Sequence, residues 1–117
     1  MSIRLARVSQ LLKSEISDVL QNRLRDPRIG FTTVTDVEVS KDLRHAKVFV
    51  SIYAEKEAQQ QGLEALESAA NFIRAELTQR VTLRFIPRLV FKLDTSIEHA
   101  DRIMQLLNDL HDKDKDD

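Results

Sequence analysis

Between residues 2 and 25 the apolar side chains Leu5, Val8, Leu12, Ile16, Val19, Leu20 and Leu24 recur at intervals of three and four. A helix turns about 100° per residue, so this spacing gathers them on one face and predicts a long amphipathic helix. The stretch DPRIG ends it, because Pro27 pushes Asp26 out of the helical region and Gly30 releases the turn. In the next segments, FTTVTDVEV and AKVFVSIYA, β-branched and aromatic residues dominate. Ala46, Val48, Val50 and Ile52 alternate with Lys47, Phe49, Ser51 and Tyr53, the period of a strand with one buried face, and SKDLRH between the segments predicts a hairpin.

A second helical stripe follows at Leu63, Leu66, Ala70, Ile73, Leu77 and Val81. LRFIPRLVFKL then predicts a strand with Leu83, Phe85, Leu89, Phe91 and Leu93 on one side and Arg84, Arg88 and Lys92 on the other. Pro87 has no N–H to give a ladder, which calls for an edge position or a bulge. Thr95 and Glu98 have capping-box spacing ahead of a last stripe, Ile97, Ala100, Ile103, Met104, Leu107 and Leu110. The predicted class is α+β, in the order α-β-β-α-β-α, or α-β-β-α-α-β-α if the central helix breaks.

The place for a break is ESAANFIRAELTQR, residues 67–80. On a straight helix Phe72 would point roughly 140° away from the apolar stripe, with Arg74 on the stripe's edge. A bend around Ala69, Ala70 and Asn71 would re-aim both, and asparagine is among the few non-glycine residues that tolerate left-handed or capping conformations. The alternative is a continuous helix in which Phe72 meets the last helix and Asn71 is solvated.

Composition narrows the function classes. A chain of 117 residues, 42% hydrophobic and 32% charged, is expected to form one domain, and no apolar run approaches a membrane span. MSIRLARVSQ does not resemble a signal peptide, so the expected location is the cytoplasm. The absence of cysteine excludes disulfides, thiolate catalysis and Cys-built zinc sites. Two glycines cannot supply a phosphate loop or a dinucleotide fingerprint. His45, His99 and His111 lack metal-ligand spacing, and Ile103 stands where a zincin helix would place a second histidine after His99. Neither enzyme activity nor a cofactor is expected.

Charge is unevenly spread about a net of −1. Residues 71–92 hold five basic side chains and the single acid Glu76; residues 1–28 hold six basic side chains against three acids. The tail DLHDKDKDD, with five aspartates and two lysines, is expected to be disordered. Arg74, Arg80, Arg84 and Arg88 have the density of a phosphate-binding face, since guanidinium forks fit phosphate oxygens and several contacts release counterions together. Arg4 and Arg7, one turn apart on the first helix, are weaker candidates, and an ordinary solvated face is the plain alternative for all six. One tyrosine, five phenylalanines and no tryptophan leave little for a base-stacking platform. Binding directed at the nucleic-acid backbone is therefore expected.

Taken together, RLARVSQLLKSEIS, DPRIGFTTVTDVEVSKDLRHAKVFVSIY, FIRAEL and LRFIPRLVFKLDTSIE closely resemble the bacterial ribosome-binding factor A family, from about Arg4 to Leu110. The resemblance implies a type II KH-like domain over residues 1–110, a three-stranded sheet with helices on one face, and an acidic tail over 111–117. It also implies a partner, the 30S small subunit with its 16S rRNA, and a role in late 16S maturation, notably of the 5′ region, linked to growth in the cold. The protein is expected to be monomeric when free and not to associate with membranes. Ordinary KH domains clamp nucleic acid with a GxxG loop, which Gly30 and Gly62 cannot form. The family instead carries an Ala-x-Gly kink, which falls on Ala69, Ala70 and Asn71, with Asn71 expected to replace the glycine in a left-handed or capping conformation. An adaptor that docks an acidic protein without touching RNA is the second reading.

Overall fold

A computed structural model describes residues 3–94. Helix α1 spans Ile3–Asn22, strand β1 Thr32–Val39, β2 His45–Ile52, helices α2 Lys56–Ser68 and α3 Ala70–Arg80, and β3 Arg88–Leu93. The sheet order is β1-β2-β3, with β1 antiparallel and β3 parallel to the central β2. A hairpin joins the first two strands. The parallel return to β3 needs a long crossover, which α2 and α3 supply.

The long first helix, the hairpin and the inward alternation of β2 all form as the patterning predicts: Val8, Leu12, Ile16, Val19 and Leu20 are buried on α1, and Ala46, Val48, Val50 and Ile52 on β2. On β1 the buried positions are Val34 and Val37, three apart, which a regular strand would send to opposite faces. A register shift between Val34 and Asp36 resolves this, since the extra residue of a bulge restores the inward phase. The inner face packs beneath α1 on the β1 side and beneath α2 and α3 on the β3 side. Leu66, Ile73 and Leu77 from the crossover helices reach zero exposure there. Burying each such side chain contributes about 1.5–3 kcal/mol.

The hairpin turn is built on Leu43, whose φ of 62° makes it the one non-glycine residue with positive φ among those described. The Asp42 carboxylate accepts from the Ser40 hydroxyl at 2.6 Å and from the Arg44 N–H at 3.0 Å, while the His45 N–H donates to the Ser40 oxygen at 3.0 Å.

Two expectations need correcting. The crossover helix does break, but at Ala69, with φ −88° and ψ −1°, and Asn71 lies within the first turn of α3 in right-handed helical conformation. The break arises by tightening. The Ala69 N–H is shared between the carbonyls of Ala65 at 3.0 Å and Leu66 at 3.1 Å, so no left-handed residue is required. Small side chains at Ala69 and Ala70 let this turn pack against the core. Phe72 remains 43% exposed.

The last strand is also shorter than its alternation predicts. It starts at Arg88, because Pro87 cannot donate and the first ladder bond is Arg88 N–H to the Arg44 carbonyl at 2.8 Å. Pro87 is buried just ahead of the strand, and β3 is an edge strand. Phe85, expected inside, is 55% exposed. The predicted last helix, with its Thr95–Glu98 cap, and the acidic tail lie outside the described residues.

Candidate nucleic-acid interface

The helix break places the N-terminal turn of α3 beside the start of β3. Between them lies a cleft of about 620 Å³ lined by Glu67, Ala70, Asn71, Arg74, Arg88, Leu89 and Val90. Arg74 reaches back from α3, one terminal nitrogen donating to the Ile86 carbonyl at 3.0 Å, and its Nε is buried without an acceptor. Arg88, at the first position of β3, is exposed beside it. Two guanidinium groups thus border one opening, with Glu67 the acid in the lining.

A second, smaller cleft of about 220 Å³ opens where α1 passes the hairpin turn. Arg4, Val8, Asp42, Leu43, Leu83, Arg84, Phe85 and Pro87 line it. The guanidinium carbons of Arg84 and Arg44 stand 5.7 and 5.9 Å from the centre of the Phe85 ring. The Asp42 carboxyl is held below the usual carboxylate range, chiefly by the Ser40 hydroxyl and then by the Arg44 N–H.

The six candidate arginines therefore divide. Arg74 and Arg88 share the break cleft; Arg4 and Arg84 share the second. Arg7 stands exposed on α1 outside both. Arg80 is turned toward α1, where it bonds Asp18, lies 3.4 Å from Glu15, and stands 3.7 Å from Glu76 of its own helix. Its hydrogen bond lowers the Asp18 carboxyl, with the Asn22 amide adding to the effect. Patterning passed over two residues here. Arg44 was legible only as a charge in a turn, and Phe85 was assigned to the core by an alternation that stops at Pro87. Among the described residues no acidic or histidine cluster could hold a metal ion, and no helix is long and apolar enough to cross a membrane.

These features define an α+β protein whose mixed three-stranded sheet carries a long N-terminal helix and a broken crossover helix, with arginines gathered around the break and the start of the last strand. The family model for ribosome-binding factor A matches residues 4–107, and the chain belongs to that family. Ribosome-binding factor A of Natranaerobius thermophilus is 54% identical over 109 residues, covering 93% of this chain and 83% of that protein. The crystal structure of ribosome-binding factor A from Thermus thermophilus aligns with a TM-score of 0.69 and 35% identity, over 76% of this chain and 93% of that one. A homology model of the Thermus thermophilus factor, fitted into a cryo-electron microscopy map of its complex with 30S, aligns with a TM-score of 0.65 and 34% identity, over 78% and 96%.

Proposed function

We propose that this protein is a non-catalytic assembly factor that binds the 30S small subunit in the cytoplasm through the backbone of 16S rRNA and assists late maturation of that RNA, including its 5′ region. The order α-β-β-α-α-β supports a type II KH-like reading of the fold, with the break at Ala69 in the place of a GxxG loop. The observation that carries the functional reading is the break cleft, where Arg74 and Arg88 border one opening. Guanidinium forks suit phosphate oxygens, and Arg88, exposed at the first position of β3, is the more accessible of the two. The likeness to the Thermus factor fitted on 30S supports the choice of partner.

The test is co-sedimentation of the Arg84→Glu, Arg88→Glu double variant with purified immature 30S subunits, with circular dichroism as the check on folding. Both side chains are exposed, so the fold is expected to survive. Association is expected to fall by more than tenfold and its salt dependence to flatten. A folded double variant that co-sediments like the wild type would remove these arginines from the interface. Loss of subunit binding with unchanged binding to protein-free 16S rRNA would instead indicate docking on a ribosomal protein.

A further inference from the structure

We propose that Phe85, with the guanidinium groups of Arg44 and Arg84 beside it, is a stacking site for one unpaired base of RNA. The proposal rests on the RNA-binding reading above and adds a contact to bases where that reading has only contacts to the backbone.

Phe85 is 55% exposed, yet it is not on a loose loop. Buried Pro87 pins the chain two residues later, and Arg88 is hydrogen-bonded to Arg44 at 2.8 Å, so the Phe85 segment and the hairpin turn are one mount. The turn is itself fixed by the Ser40–Asp42–Arg44 hydrogen bonds. A ring held in this way loses little freedom when a ligand lands on it. The two guanidinium groups, at 5.7 and 5.9 Å from the ring centre, sit near the outer limit of about 6 Å for a cation over an aromatic face. They are flexible side chains and can swing aside to meet a phosphate.

The adjoining cleft, at about 220 Å³, falls below the roughly 300–1,000 Å³ of pockets that enclose a whole small ligand. It suits one planar ring, with the rest of the strand running over the surface. Its walls are apolar at Val8, Leu43 and Leu83, and its rim carries Arg4 and Arg84. Asp42 is the acid in that lining, and its carboxylate is already engaged by Ser40 and the Arg44 N–H. A π-face, an apolar wall and positive charge are what a single-strand site combines. Paired bases in an A-form helix hide their faces, which restricts the ligand to a loop, bulge or end.

A second aromatic pair sets the contrast. Phe31 and Tyr53, 83% and 89% exposed, meet through the Tyr53 N–H and the Phe31 carbonyl at 3.1 Å, at the opposite end of β2 from Arg44. There the nearby Arg28 is committed to Asp26 at 2.8 Å, and Glu55 and Glu57 flank Lys56 in sequence. At that end the arginine contact is an ion pair with Asp26, whereas at Phe85 two guanidinium groups stand against the ring.

The experiment uses two probes: a single-stranded RNA oligomer containing 4-thiouridine, and a fully paired RNA duplex of equal length. Phe85→Leu is expected to weaken binding of the single strand roughly 5- to 150-fold, the range that loss of one base–aromatic stack produces. Phe85→Tyr should retain affinity, and binding of the duplex should be unaffected by either change. Photocrosslinking of the wild type should attach the oligomer to the peptide bearing Phe85, a readout that needs no variant to fold. Unchanged affinity of Phe85→Leu for the single strand, or a crosslink confined to Phe31 or Tyr53, would overturn the proposal while leaving the RNA-binding reading in place. A wild-type protein that binds neither probe would overturn both.

Discussion

Gly62 lies inside α2, where glycine is about 1 kcal/mol worse than alanine. Its use there is steric. A Cβ at this position would stand 2.9 Å from the backbone oxygen of Arg28 and 2.9 Å from Cδ1 of Ile52. The Ile52 methyl can rotate away, but the carbonyl belongs to the loop that returns α1 to the sheet. Gly62→Ala should therefore lose about 1 kcal/mol net, overpacking outweighing the gain in helix propensity, and melt several degrees lower. Asn71→Ala should do the reverse. Asn71 is exposed in the first turn of α3 with no cap to lose, so alanine there should stay within about 0.5 kcal/mol of wild type or improve on it. Parallel denaturant melts check both: a loss above about 1 kcal/mol at Asn71 would give it back a capping role, and an unharmed Gly62→Ala would mean the Arg28 loop yields.

Between elements, Arg80 is the tie from the end of α3 to α1. It meets Asp18 and Glu15 on α1, and Arg23 makes a second link, at 3.1 Å, to Glu76. Asp18 is titrated below its ordinary value by this arrangement. A carboxyl with a lowered folded pKa contributes stability that is present above its unfolded value, near 3.9, and is lost as pH falls through the folded one. Arg80→Met should raise the Asp18 titration toward the ordinary range, seen by carbon-detected NMR, and remove part of the acid sensitivity of the fold. Arg80→Glu should melt well below Arg80→Met, since it sets a carboxylate among three others. An Asp18 titration unmoved in Arg80→Met would sever this link. None of it could be read from spacing, because the charge density that drew attention to Arg80 does not say which side of α3 meets α1. What spacing does determine is a face: the α1 stripe and the β2 alternation were legible because one buried surface dictates the period. The β1 bulge and the outward turn of Phe85 were not, because in each a local backbone event shifts the phase: an extra residue in one and a proline without an N–H in the other. The break at Ala69 was legible as a place, from Phe72 and the small residues, but not as a tightened right-handed turn.

At the scale of the whole molecule the net charge of −1 conceals a gradient. Residues 3–94 contain fifteen basic and twelve acidic side chains, a net +3, while residues 112–117 alone contain four aspartates and two lysines, a net −2. So modest an excess would not hold a polyanion by itself, and the proposed phosphate binding rests on local density at the two clefts. Two consequences differ in their response to salt. On the proposed reading, phosphate contacts of Arg74, Arg84 and Arg88 would release counterions, so each should contribute about one unit to the slope of log affinity against log salt. Each lost contact should flatten that slope by the same amount whichever RNA sequence is used, because phosphates carry no sequence information. The acidic residues 112–117 should act differently, by repelling phosphate or competing for the same arginines. Its effect should shrink as the Debye length falls to about 8 Å near physiological ionic strength. Deleting residues 112–117 should therefore strengthen binding to 16S rRNA at low salt, leave it nearly unchanged at about 0.15 M, and steepen the slope between them. A salt titration of the truncated and full chains side by side measures both effects. Parallel lines offset by a constant would mean that the acidic end acts by contact rather than by charge, and coincident lines that it is electrostatically idle.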